Sequence, residues 1–275
     1  MTPTDETSKR LTDLALVRRL ERAEGATNAA FIEARARIEP ASVAQWRSVG
    51  GVYAMFDGAD SPLTQTFGLG IFEEAEDRQF QVLERFFIER RAPVMHEVSP
   101  YISVATLARL TERGYRPIEL STVLVRSTSM GARADSPIAV REIASPEREL
   151  WANIGAEGWS SESPELAAFV ESFGRIITRA ENVHCFLAEA GGTPIATGAL
   201  SIQDGVALLA GASTIPGGRR LGAQRALLEE RLRFAASRGA DLAMMVAQPG
   251  SGSQRNAERQ GFSVVYTRTK WELGG

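Results

Sequence analysis

The chain has a single cysteine, Cys185, and only two histidines, His96 and His184. One cysteine cannot close an intramolecular disulfide, which fits a reducing, cytoplasmic setting. So few thiols and imidazoles make a metal site unexpected. No run of about 18 apolar residues exists, so no membrane-spanning helix is expected. Residues 1–10 are polar and lack an apolar signal core, so secretion is not expected either. The net charge is only -3, which gives no bulk field for nucleic acid. One cleft can still be strongly charged. What is present is the composition of a folded protein: 275 residues, 44% hydrophobic and 24% charged. That suffices for one large or two modest domains, each with its own core.

Residues 8–24 have a helical pattern, with Leu11, Leu14 and Ala15 on one face. Gly25 interrupts it, and a second helical stretch runs to about Arg37, closed by Glu39 and Pro40. Residues 51–56 and 63–72 are expected strands around the turn chemistry of residues 57–62. Residues 75–91 form an amphipathic helix with Leu83, Phe86 and Phe87 inward. A short strand at 94–98, a helix ending at Gly114 and a strand at 118–126 follow. Residues 127–136 are small and polar and are expected to be a linker.

The second half repeats this order. Residues 138–143 are an expected strand, and 146–159 and 164–179 are helical. Residues 185–190 and 194–202 form a hairpin around Gly191 and Gly192. Residues 206–215 are an apolar strand and 222–238 a long helix. Residues 241–247 are almost wholly apolar, which suggests a central strand. A short helix at 251–260 and a strand at 263–273 close the chain. Arg113-Gly114-Tyr115 matches Gln260-Gly261-Phe262 at corresponding points, and we read a duplicated fold.

One loop carries chemistry. After the strand ending at Thr214 come Pro216, Gly217, Gly218, Arg219, Arg220, Leu221, Gly222, Ala223 and Gln224, and then a helix. The first turn of a helix offers unpaired N–H groups and the positive end of its dipole. Gly222 lets a bulky anion approach the backbone. Arg219 and Arg220 add charge that can meet phosphates. The plainer reading is a surface turn with solvated arginines.

The spacing resembles the GNAT acetyltransferase superfamily, whose signature is Gln/Arg-x-x-Gly-x-Gly/Ala. Here it reads Arg219-Arg220-Leu221-Gly222-Ala223-Gln224, with Gln in the last place. The resemblance extends from about Ile138 to the C-terminus, and the first half resembles a degenerate copy. It implies an α/β (α+β) fold of two GNAT-like domains, each a mixed, mostly antiparallel sheet flanked by helices. Residues 1–130 would form the degenerate domain without a CoA site and 137–275 the acetyltransferase domain. It also implies acetyl-CoA as acyl donor. The N–H groups of residues 219–224 would bind its pyrophosphate, and Ala212, Ser213 and Thr214 would pair with pantetheine. The splay between strands would lie between Thr214 and Met244, Met245 and Val246. In the first half, Glu73, Glu74, Glu76 and Asp77 occupy the corresponding loop. Like charges there, with no compensating arginine, argue against phosphate binding.

Acyl transfer to an amine needs a proton acceptor, an oxyanion donor and a group near the leaving thiolate. Many family members place a tyrosine four residues before the Gly-Phe pair, where this chain has Ala257. Ser253 and Asn256 are therefore the candidates near the sulfur, although Ser253 equally fits a simple helix cap. Tyr266 on the last strand is a further nearby candidate, although it reads more readily as a strand-face aromatic. Glu157, beside Gly158 and Trp159, is the candidate for anchoring or deprotonating the amine, against a solvated loop carboxylate. Glu189 on the hairpin reads as pointing outward, His184 could serve as a base but reads more readily as structural, and Cys185 reads as a buried small hydrophobe.

The expected function is direct acyl transfer from acetyl-CoA to a small-molecule or peptide amine, by a monomer or homodimer with no nucleic-acid or membrane partner. The alternative is a CoA-binding regulatory module without catalysis, motivated by the missing tyrosine. A tRNA-dependent transferase, another use of duplicated folds of this type, conflicts with the net charge.

Overall fold

The computed structural model describes residues 12–129, 136–161 and 163–274. The first half supplies α1 (Leu14–Ile38), β1 (Gln45–Val49), β2 (Val52–Phe56), β3 (Gln65–Phe67), α2 (Asp77–Ile88), β4 (Met95–Val98), α3 (Val104–Glu112) and β5 (Tyr115–Ser127). The second half supplies β6 (Ile138–Glu142), α4 (Arg148–Glu157), α5 (Pro164–Ile177), β7 (Val183–Ala190), β8 (Thr193–Gln203), β9 (Val206–Thr214), α6 (Ala223–Ser237), β10 (Leu242–Ala247), α7 (Gly252–Arg259) and β11 (Ser263–Leu273).

Alternation along the strands assigns the helices to two layers. In β7, Cys185 and Leu187 pack with Phe31 of α1, Trp151 of α4 and Ile176 of α5. Their neighbours Phe186 and Ala188 pack with Leu227 and Leu232 of α6 and Ala257 of α7. Successive side chains of a strand point to opposite faces. In β2, Met55 likewise joins the α1 layer, while Ala54 and Phe56 join Phe80 and Leu83 of α2 and Leu110 of α3.

All eleven strands form one sheet, in the order β1-β2-β3-β4-β11-β5-β10-β9-β8-β7-β6. The two parallel pairs, β3 with β4 and β9 with β10, stand at matching places in the two halves. The last strands are exchanged. β11, from the second half, lies between β4 and β5. β5, from the first half, lies between β11 and β10. Tyr115 pairs with Leu273 and Val125 with Ser263, so β5 and β11 run antiparallel about a pseudo-twofold axis. The matched glycines have the same left-handed backbone, φ +86° at Gly114 and +82° at Gly261. The aromatic residue after each, Tyr115 and Phe262, is buried.

Several expectations change. Gly25 does not interrupt a helix: α1 runs through it, because a Cβ there would stand 2.5 Å from the Tyr53 ring. Residues 45–49 form an unexpected strand, joined to β2 through Gly50 and Gly51 at φ +57° and +78°. The strand expected over 63–72 shortens to β3, because Gly68 and Gly70 take positive φ and turn the chain. β5 extends to Ser127, and residues 130–135 of the expected linker lie outside the described residues.

The exchanged strand β11 carries a buried arginine to the centre of the molecule. Arg268, 1% exposed, meets Glu24 of α1 at 2.8 Å, Glu97 of β4 at 3.5 Å and Glu21 of α1 at 3.6 Å. Tyr266 Oη donates to Glu21 Oε1 at 2.7 Å, and Ser121 donates to Glu97. Three carboxylates thus share one cation. Burial, with Glu21 and Glu97 nearby, pushes the Glu24 carboxyl up to about 7 from an ordinary 4.5, against the pull of Arg268. The folded state therefore holds this proton more tightly than the unfolded chain. The resulting stabilisation is complete below pH 4.5 and is lost as pH rises through 7. We expect unfolding free energy to fall by up to about 3 kcal/mol between pH 5 and 8. Glu24→Gln should flatten that slope in denaturant titrations at the two pH values. An unchanged slope would show that Glu24 is ionised throughout.

Candidate acyl-CoA cleft

The parallel pairing of β9 with β10 covers only Val206–Leu208 against Leu242–Met244. Both strands continue beyond it without pairing to each other. The cause lies on the other side of β9. Thr197 faces Ser213 and Ala199 faces Ala210, so Gly211 and Ala212 together oppose Gly198. This bulge bends β9 away from β10. Gly211 takes φ +61°, and its carbonyl accepts from Thr197 Oγ1 at 3.0 Å.

A cleft of about 660 Å³ occupies the resulting gap. β9 contributes Ala212, Ser213 and Thr214 to its wall, α6 contributes Gln224, Arg225, Leu228 and Arg231, and β10 contributes Met245. Ser253, Asn256, Ala257 and Arg259 of α7 form the opposite side, with Gln260 just beyond that helix. Gly158 and Trp159, between α4 and α5, close one end, and Arg219 stands at the loop. Ala212, Ser213, Thr214, Arg219, Gln224, Ser253 and Asn256, all expected from the sequence, thus share one cleft. Met244 is core instead, packed against α1 residues.

The loop ends in an open helix start. Gly222 is the N-cap of α6 at φ +86°, with no side-chain capping bond. The first N–H groups of α6 have no intrahelical acceptor, and a Cβ on Gly222 would meet nothing within 4 Å. Arg220 and Leu221 are exposed and Ala223 is buried; none of the three lines the cleft, so any contact they offer is through backbone. Arg219 Nη2 donates to the Gly158 carbonyl at 2.9 Å and to Ser161 Oγ at 3.1 Å. It ties the loop to the α4–α5 connection. Gln224 Nε2 donates to the Ser213 carbonyl at 2.9 Å and to Thr214 Oγ1 at 2.8 Å. The glutamine in the signature's last place therefore fastens α6 to β9. It also takes up a carbonyl on the edge where pantetheine pairing was expected.

Gly158 has no room for a side chain. A Cβ there would stand 1.9 Å from Ser213 Oγ and 3.0 Å from Thr214 N and O. The connection between α4 and α5 therefore rests directly on β9.

The acid–base candidates fare unevenly. Ser253 is not the cap of α7: Ser251 is, accepting from Gln254 N at 3.1 Å. Ser253 is thereby free to face the cleft. Asn256 faces it too, with Oδ1 accepting from Arg259 Nη1 at 2.8 Å. Glu157 is exposed and outside the cleft wall, because the helix end turns Gly158 and Trp159 inward instead. Tyr266 belongs to the central Arg268 cluster. Glu189 pairs with Arg141 at 2.8 Å, and His184 Nδ1 lies 2.7 Å from Glu142 Oε1. Burial pushes the Cys185 thiol up to about 12, so it stays protonated. Among the described residues, no group of three or more His, Cys, Asp or Glu is placed to hold a metal. No helix there is long and apolar enough to cross a membrane.

Residues 139–262 match the family model of the acetyltransferase (GNAT) family. Residues 139–262, within the second half, thus carry the match to a GNAT domain. The whole chain is similar in fold to a GCN5-related N-acetyltransferase from Kribbella flavida, with TM-score 0.61, 20% identity and coverage of 90% of this chain and 96% of that one. It is also similar to a tandem GNAT protein from the clavulanic acid biosynthesis pathway, with TM-score 0.58, 12% identity and 95% of each chain covered. A GCN5-related N-acetyltransferase from Sphaerobacter thermophilus gives TM-score 0.53 at 16% identity, over 76% of this chain and 71% of that one. No curated protein sequence matches the chain.

At the corresponding place in the first half the chain after β3 is enclosed. Leu69 and Ile71, just after β3, are buried in the chain's own core, and the Ile71 carbonyl accepts from Arg18 Nε at 2.8 Å. Two of the acidic loop's four carboxylates are compensated after all, by Arg109 of α3 and Arg113 at that helix's C-terminal cap, both distant in sequence. Arg109 meets Glu74 at 3.3 Å and Arg113 meets Asp77 at 3.3 Å. Hydrogen bonds from Ser103 and Thr106, with Arg109, hold the Glu74 carboxyl below its usual range.

Two features of the cleft were missed at the sequence level. Trp159 looked like part of a helix end. Arg231 was not singled out, although its position in the row Gln224, Leu228, Arg231, Ala235 puts it on the inward stripe of α6.

Proposed function

We propose that this protein is an acetyl-CoA-dependent N-acyltransferase that transfers its acyl group directly to an amine. Residues 137–275 bind the donor, and residues 1–130 bind none. The observation that carries this reading is the continuity of the cleft. It runs from the open N-terminus of α6 along the unpaired stretch of β9 to the bulge at Gly211. The pyrophosphate belongs at the backbone of Arg219, Arg220, Leu221, Gly222, Ala223 and Gln224, and pantetheine along Ala212–Thr214.

The acceptor enters past Gly158 and Trp159 and attacks the thioester carbonyl. Ser253 and Asn256 are the polar groups of α7 nearest the departing sulfur. Among the described residues no carboxylate lines the cleft, and the amine's proton leaves through water. The same lack, with Ala257 where an acid is often found, supports a second reading: a CoA-binding regulatory module.

The deciding measurement combines calorimetry with acetyl-CoA and thiol release against a panel of amines and peptide N-termini. Micromolar binding with turnover on some acceptor is expected. Binding without turnover on any acceptor would favour the second reading. Failure to bind acetyl-CoA at all would sink both.

A further inference from the structure

Among the described residues, the cleft wall contains four arginines and no aspartate or glutamate. Arg219, Arg225 and Arg259 are exposed, and arginines at such a mouth suit phosphates. Arg231 is different: it is buried, at 3% exposure. It lies nine residues beyond Gly222, about 14 Å along the helix at 1.5 Å per residue. That distance is comparable with an extended pantetheine arm. Arg231 is also held at the bulge. Its Nη1 donates to the carbonyls of Ala199 at 3.0 Å and Ala210 at 3.2 Å, and its Nε to that of Leu227 at 3.2 Å. Gly198 makes room for it: a Cβ there would stand 3.0 Å from Arg231 Cζ.

No carboxylate neutralises this cation. The acids next to it on α6 are engaged elsewhere, Glu229 with Arg225 and Arg233, and Glu230 with Arg233. Burial lowers Arg231 to about 10, which leaves it charged at neutral pH. An unneutralised buried charge is costly, and carbonyl dipoles offset only part of that cost. A carboxylate brought in by a ligand would offset the rest, through a charge-assisted pair. A bare ammonium acceptor would meet a like charge there.

We propose that Arg231 binds a carboxylate carried by one of the two reacting molecules, beside the thioester end of the cleft. This rests on the reading of the cleft as the acyl-CoA site. The carboxylate has two possible sources: a dicarboxylic acyl chain such as succinyl, or the α-carboxylate of an amino-acid acceptor.

Two arms separate the sources. The first compares the affinities of acetyl-CoA and succinyl-CoA. The second compares glycine with methylamine as acceptors at saturating acetyl-CoA. In one arm the wild type should favour the carboxylate-bearing compound by about tenfold or more. Arg231→Met should abolish that preference, read within the variant as the ratio of the two affinities or of the two rates. Arg231→Lys keeps the charge and should retain part of the preference, which covers a Met variant that folds poorly. A wild type that binds CoA but shows no preference in either arm overturns the inference alone, as does a preference that survives in Arg231→Met. A wild type that binds neither CoA nor its thioesters overturns the cleft reading, and this inference with it.

Discussion

Residues 137–275 expressed alone are expected not to form a stable monomer, although they include the whole segment that matches the GNAT family. Without the first half, β11 loses both of its neighbours, β4 and β5, and β10 loses β5. The unpaired backbone of two central strands would then be open to water or to other chains. The α1 layer goes too. Val206, Leu208, Leu242 and Met244 pack with Val17, Leu20 and Ala23 of α1. Exposing four such side chains costs roughly 1.5–3 kcal/mol each, which together rivals a typical net stability of about 5–15 kcal/mol. Size-exclusion chromatography and circular dichroism of residues 137–275 should show aggregates or self-associated species. Co-expression with residues 1–136 should restore a soluble one-to-one complex. A cooperatively folding monomer of residues 137–275 would show that β11 can pair within its own half.

Gly222→Glu is expected to weaken acetyl-CoA binding by about a hundredfold or more while lowering the melting temperature by only a few degrees. A side chain at φ +86° costs the fold about 1–2 kcal/mol, with or without ligand. A carboxylate beside the pyrophosphate adds repulsion of about 4 kcal/mol at 4 Å under an effective dielectric of 20. The fold otherwise tolerates the change. A Cβ at Gly222 meets nothing within 4 Å, and a negative charge at a helix start is favourable. Gly222→Ala separates the two effects, because it keeps the backbone strain and adds no charge. It should cost less than about tenfold in affinity. Calorimetry on the three proteins decides. If Gly222→Glu binds acetyl-CoA as the wild type does, the pyrophosphate does not rest on this loop.

Local signals carried far. The loop from Arg219 to Gln224 was legible because a glycine with positive φ between a strand and a helix leaves a signature in one stretch of chain. Gly114 and Gly261 marked the duplication for the same reason, and Gly191 with Gly192 marked a hairpin. Gly25 misled, because its cause is the Tyr53 ring rather than a break in the helix. The acidic loop of the first half misled as well, since Arg109 and Arg113 reach it from another helix.

By itself, then, the sequence determined the kinds and order of most elements, the duplication and the glycine- and arginine-rich loop that opens α6, all of which depend on residues adjacent in the chain. The tertiary structure alone decided that β5 and β11 change places. Backbone hydrogen bonds between strands carry no residue identity, and the alternation of a strand states which face is buried but not which strand lies beside it. The same holds for the two buried arginines. Nothing adjacent to Arg231 or Arg268 in the chain distinguishes a solvated surface cation from an enclosed one. Arg268 acquires three carboxylates through strand exchange. Arg231 is brought to the end of a cleft with no acidic residue among the described residues of its wall.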